Sequence, residues 1–64
     1  MDIYKVQYAS LRRWDVFKFE PTGRDYVKIH NDVYIDNLSG FVYESDESLE
    51  FQMVIPFGRR GWKI

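Results

Sequence analysis

The sequence predicts an all-β domain: an antiparallel meander of five to seven short strands, curled into a small barrel-like sheet. Three observations lead there. Turn-forming clusters recur every 8–10 residues, at Pro21-Thr22-Gly23, His30-Asn31-Asp32, Leu38-Ser39-Gly40, Asp46-Glu47-Ser48 and Pro56-Phe57-Gly58. The segments between them are rich in Val, Ile, Tyr, Phe and Trp, which suit a pleated, half-buried surface. Hairpins closed at these clusters also bring apolar residues to a common face.

That register follows element by element, because residues opposite one another in a hairpin share a face. A three-residue loop at Thr22-Gly23-Arg24 sets Phe19 against Val27 and Phe17 against Ile29. One at His30-Asn31-Asp32 sets Ile29 against Val33 and Val27 against Ile35. One at Leu38-Ser39-Gly40 sets Ile35 against Tyr43, with Gly40 where a left-handed residue is wanted. One at Asp46-Glu47-Ser48 sets Tyr43 against Phe51 and Phe41 against Met53. A single face then reads Phe17, Phe19, Val27, Ile29, Val33, Ile35, Phe41, Tyr43, Leu49, Phe51, Met53 and Ile55, and four loops agree on it.

The first strand, over residues 2–9, alternates Tyr4, Val6 and Tyr8 with Ile3, Lys5 and Gln7, and is expected to pair with the strand starting near Trp14. Ser10-Leu11-Arg12-Arg13 reads as a loop or as a single helical turn near residues 10–14 with Ser10 as cap. Leu11, Trp14 and Phe17 stand at helical spacing, so a short helix over 10–18 competes with the strand. A meander with one apolar face closes into a small barrel, folds into two layers, or buries that face against a second copy as a homodimer.

At 64 residues there is room for one domain, and a chain this short buries only about 60% of the surface its unfolded form exposes. Without cysteine there is neither a disulfide nor a thiolate metal site, and one histidine does not make an ordinary zinc site. Stability falls to packing of the rings, 19% of the chain. Asp2, Lys5, Arg12, Arg13, Asp15 and Lys18 break any apolar run in residues 1–20, so neither a secretory leader nor a membrane span is expected and the expected location is cytoplasmic.

The net charge of −1 hides a segregation. Residues 1–30 hold six Lys or Arg against four acids; residues 31–56 hold six acids (Asp32, Asp36, Glu44, Asp46, Glu47, Glu50) and no Lys or Arg; residues 57–64 hold Arg59, Arg60 and Lys63. The basic ends either pair with the acidic middle or remain as surfaces of opposite sign.

No constellation argues for catalysis, and no cofactor is expected. His30, the single imidazole, stands beside Asp32 at a hairpin tip, where a polar turn is the simpler reading. Gly58-Arg59-Arg60-Gly61 lacks the context of a phosphate loop, and Glu44-Ser45-Asp46-Glu47 fits no established calcium loop. One pattern does recur: Arg12-Arg13-Trp14 and Arg59-Arg60-Gly61-Trp62-Lys63 each set two arginines beside a tryptophan. Trp and Arg dominate protein interfaces, and the same pair suits single-stranded nucleic acid, where cations meet phosphate and rings stack on bases. The expected partner is another protein, bound through Arg12, Arg13, Trp14, Arg59, Arg60, Trp62 and Lys63, with nucleic acid as the alternative and a self-assembling structural protein as a third reading. A second face is expected to show Tyr26, Lys28 and Tyr34, unless the first strand folds across it and makes it a second core layer.

The inferred topology resembles the loose class of small SH3-like and OB-like barrels in architecture, while no family signature spans more than a few residues and no functional residue is carried over. The size, the missing cysteines and the isolated single domain are also similar to small accessory proteins of bacteriophages. That resemblance implies an inhibitor that binds and blocks a host protein.

Overall fold

Six antiparallel strands join in one sheet in the computed structural model, which describes residues 3–59. They are β1 (Val6–Gln7), β2 (Val16–Lys18), β3 (Tyr26–His30), β4 (Val33–Asp36), β5 (Val42–Glu44) and β6 (Met53–Gly58), with 3-10 turns at Tyr8–Ser10 and Glu47–Phe51. The strand order is β1-β6-β2-β3-β4-β5. The all-β, antiparallel reading therefore holds, and β2 through β5 form the expected meander. The sheet stays open, with β1 and β5 as its edges, and does not close into a barrel.

Several connections depart from the expected hairpins. At Asp46-Glu47-Ser48 the Asp46 carboxylate accepts from the Ser48 N–H at 2.9 Å and starts a 3-10 turn instead of a β-turn. The turn carries Leu49 into the core at 3% exposure and leads the chain away from β5. β6 then inserts between β1 and β2, with Val6↔Val54 on one side and Phe17↔Pro56 on the other. So β1 pairs with β6 rather than with the strand after Trp14, and Phe41 does not meet Met53. Nor does a helix form over residues 10–18: the 3-10 turn stops at Ser10, whose hydroxyl donates to the Gln7 carbonyl instead of capping a turn over residues 11–14.

The register is right in part. Val27 opposes Ile35 as expected, while Ile29 is bulged and the turn closes at His30↔Val33 around Asn31 and Asp32. The next loop is one residue longer than expected. The Asp36 N–H bonds to the Phe41 carbonyl and the Gly40 N–H to the Asp36 carbonyl, with Gly40 left-handed at φ 78°. That residue sets Ile35 against Val42 and Tyr34 against Tyr43, which turns Tyr43 to the other face. Between β2 and β3 the connection runs over 19–25, so Phe17 opposes Tyr26 and Val16 opposes Val27.

The single expected apolar face is thus two. On one, Phe17, Phe19, Tyr26, Tyr34 and Tyr43 make a run of ring contacts with centroids 5.2–5.9 Å apart. Tyr8, Leu11, Leu49 and Val54 pack over Phe17 on this side. On the other, Val16, Val27 and Ile35 form a smaller cluster against which Trp14 and Ile29 pack. Fully burying one such side chain contributes about 1.5–3 kcal/mol, so a small domain needs both clusters. Tyr8 locks them in place: it is fully buried, and its hydroxyl reaches the carbonyls of His30 (2.7 Å) and Val33 (2.9 Å) at the β3–β4 turn.

Candidate functional site

The β2–β6 register decides how Arg12-Arg13-Trp14 is placed relative to Arg59. The first motif enters β2, Arg59 follows β6, and Val16 opposes Gly58. The turn at residues 12–15 and Arg59 are therefore delivered to the same end of the sheet. Asp15 of that turn and Arg59 line an open depression of about 410 Å³, with Tyr4, Leu11 and Phe57 among its walls. Arg60, Trp62 and Lys63 lie outside the described residues.

The turn is tightly built. The Arg12 N–H donates to the Asp15 carboxylate at 2.9 Å, and the Asp15 N–H returns to the Arg12 carbonyl at 3.1 Å. Trp14 stands at φ 75°, in the left-handed region, which costs a non-glycine residue about 1–2 kcal/mol. It is held there from both sides. Its N–H bonds to the Lys28 carbonyl (2.7 Å), the Lys28 N–H bonds to the Asp15 carbonyl (3.0 Å), and its half-buried ring rests on the Val16–Val27–Ile35 cluster. A strained, fixed residue of this kind marks a place where geometry is held against a local preference.

Around Trp14 the arginines differ. Arg13 Nε donates to the Ile29 carbonyl at 3.2 Å, which draws that side chain along β3. Arg12 and Arg59 are exposed, and no ion pair holds either among the described residues. Tyr4 and Phe57 show 74% and 60% of their surface to water, so two large rings line the depression with Arg59 instead of joining either cluster. Lys18 Nζ sits 4.8 Å above the Phe57 ring and steadies it from the sheet side.

Lys28 is buried, and Tyr26 and Tyr34 are half-buried against the core. Of the first segment Tyr8, and Val6 in part, fold over this face, Tyr8 packing against Tyr34 at 6.5 Å, while Tyr4 stays exposed. Lys28 is 5% exposed, and its ammonium donates to the carbonyls of Leu11 (2.8 Å) and Tyr8 (3.1 Å) while lying 4.8 Å from the Tyr8 ring. Burial pushes its pKa down. Its role is to pin residues 8–11 onto the sheet.

Among the described residues one acid of the middle segment, Asp36, pairs with a cation of residues 1–30, Arg24, and the other five form no ion pair. Two ion pairs are formed among the described residues, Lys18–Asp25 (3.0 Å) and Arg24–Asp36 (2.6 Å). Asp36, 1% exposed, is the residue that sequence reasoning missed most clearly. Its carboxylate accepts from the N–H groups of Ser39 (3.0 Å) and Leu38 (2.8 Å) as well as from Arg24. Donation from Ser39, then from Arg24, holds its pKa down at about 2. An Asp three residues before Ser39 and four before Gly40 is a turn signal that could have been read.

His30 and Asp32 are both exposed, with no hydrogen bond between their side chains among the described residues. Among those residues no group of three or more His, Cys, Asp or Glu is placed to hold a metal ion, and no helix is long and apolar enough to cross a membrane. No family model, curated protein or solved structure matches the chain.

Proposed function

We propose that the protein is a non-enzymatic binding module whose partner is another protein, engaged at the sheet end formed by Arg12, Trp14, Phe57 and Arg59. The observation that supports this reading is the β2–β6 register, which places Arg12 and Trp14 at the same end of the sheet as Arg59, where the Tyr4 and Phe57 rings are exposed beside Arg59. Fixed aromatic residues beside guanidinium groups are the chemistry of interface hot spots, since they bury much area at little entropic cost. A protein partner is favoured over nucleic acid because Trp14 is committed to the sheet and Asp15 lines the same depression. The acidic middle of the chain would also repel a polyanion. The resemblance to phage accessory proteins points the same way, toward blocking a host protein.

The test is light scattering coupled to size exclusion at 50 and 200 mM salt, with and without a mixed-sequence single-stranded 25-mer. A monomer indifferent to the oligonucleotide agrees with the proposal. A complex at low salt that dissolves at the higher salt assigns the arginines to phosphate instead, because each phosphate contact adds about one unit of logarithmic salt slope. A salt-independent dimer moves the surface to a contact between copies.

A further inference from the structure

A second surface, away from the arginine end, is built for a different kind of contact. β5 is an edge of the sheet, and the hydrogen bonds on either side of it fix which of its backbone groups face outward. The Asp36 N–H bonds to the Phe41 carbonyl at 2.9 Å and the Ser45 N–H to the Asp32 carbonyl at 2.7 Å. In an antiparallel ladder bonded and non-bonded pairs alternate, so Tyr34–Tyr43 is the bonded pair between these two. Ile35–Val42 and Val33–Glu44 are then the non-bonded pairs, and the N–H and C=O of both Val42 and Glu44 point away from the sheet.

The side chains at this edge are also unfinished. The line of rings that starts at Phe19 passes through Tyr26 and Tyr34 to Tyr43, which stacks on Tyr34 at 5.3 Å and 20°, and ends on Phe41. Phe41 is 64% exposed and Val42 56%. Glu44, Asp46 and Glu47 come directly after, are exposed, and have no ion pair among the described residues. Edge strands are commonly blunted by lysine or proline, and this one has neither.

We infer that the β5 edge takes an extended segment of a partner protein by strand addition, and that this segment alternates apolar residues with Lys or Arg. Its backbone bonds to Val42 and Glu44. Its apolar residues continue the ring line beside Tyr43 and Phe41, and its cations meet Glu44 and the acids after it. A second copy of this chain fits worse, because β5 against β5 around Tyr43 runs antiparallel and sets each Glu44 opposite Val42, so that no cation meets the acids of either copy. Strand addition at β5 is independent of the arginine-end proposal, since it uses none of those residues.

The experiment uses the full chain, labelled with nitrogen-15, and a capped nine-residue peptide of alternating lysine and valine as the probe. Amide exchange at Val42 and Glu44 is expected to slow by about tenfold or more on saturation, with no such change at β1. The glutamate–valine counterpart and a lysine–valine peptide N-methylated at alternate residues are expected not to bind. Val42→Pro deletes an outward N–H while leaving the bonds to β4, and should abolish binding. If that variant does not fold, the N-methylated peptide decides alone. Glu44→Lys with Glu47→Lys should weaken binding about tenfold or more. The inference is overturned if peptides of either charge bind equally, if N-methylation has no effect, if protection appears away from β5, or if no binding is seen at millimolar peptide. It is also overturned if the chain alone pairs through β5 as a dimer.

Discussion

At the end of the sheet where β2 meets β6, several bonds converge on a few residues. Trp14 is strained, and its neighbours are tied by backbone hydrogen bonds on both sides and by the Asp15 carboxylate. At the β5 edge the arrangement is the reverse. Three residues lean on β4 by one ladder, the loop that delivers them gathers two of its N–H groups on the Asp36 carboxylate, and their outer backbone groups meet no strand. The contrast teaches how 64 residues can present two surfaces of opposite sign without either one unfolding the other. Rigidity at the arginine end comes from bonds on both sides of one strained residue, whereas the loop before the edge strand is organised around one buried acid.

If that is right, the largest effect comes from the acid. Asp36→Ala leaves the loop N–H groups and Arg24 without their acceptor and should cost about 3 kcal/mol, read by urea denaturation. Asp36→Asn keeps an acceptor for the loop and loses the ion pair to the exposed Arg24 side chain, and should cost about 1 kcal/mol. The pH dependence sharpens this. A carboxylate held at about 2 when folded, below its unfolded value, adds stability that is complete above about pH 4 and is lost as pH falls toward 2. The difference between wild type and Asp36→Asn should therefore shrink across that window.

A smaller effect separates two variants at the arginine end. Trp14→Ala and Trp14→Gly lose the same ring contacts, but only glycine relaxes at φ 75°. Trp14→Gly should be the more stable of the two by about 1 kcal/mol, against the usual cost of glycine. Equal stabilities would mean that the strain assigned to this turn is absent. Smallest of all, Arg12→Ala with Arg59→Ala should change stability by no more than about 0.5 kcal/mol, because both side chains are exposed and unpaired among the described residues. A larger loss would make these arginines part of the scaffold instead of its surface.

The sequence made the strand-rich, antiparallel character legible because turn clusters and β-branched or aromatic runs are local signals. It placed Val27 against Ile35, and Gly40 in a left-handed turn, for the same reason. It missed the faces because they depend on loop length to the residue. One extra residue between Asp36 and Phe41 turned Tyr43 to the side of Tyr34, and the longer 19–25 connection did the same for Phe17. The alternation along residues 42–55 concealed the turn at Glu47–Phe51, whose effect is long-range: it sends β6 across to β1 and β2. Of the site, the recurrence of Arg-Arg-Trp could be read directly. That Arg59 comes to the same end of the sheet as Arg12 and Trp14 could not, because it depends on β2–β6 pairing, and neither could the exposure of Tyr4 and Phe57 there.

The most direct test of the central claim compares what is retained from an extract of the expressing cells by three immobilised proteins. These are the wild type, a variant with Arg12→Ala, Phe57→Ala and Arg59→Ala, and a variant with Glu44→Lys and Glu47→Lys, each shown to be folded by circular dichroism. The account predicts one protein, insensitive to nuclease and to 200 mM salt, that the arginine-end variant loses and the edge variant keeps. Retention of the same proteins by wild type and arginine-end variant alike, or loss of the captured material on nuclease treatment, would contradict it.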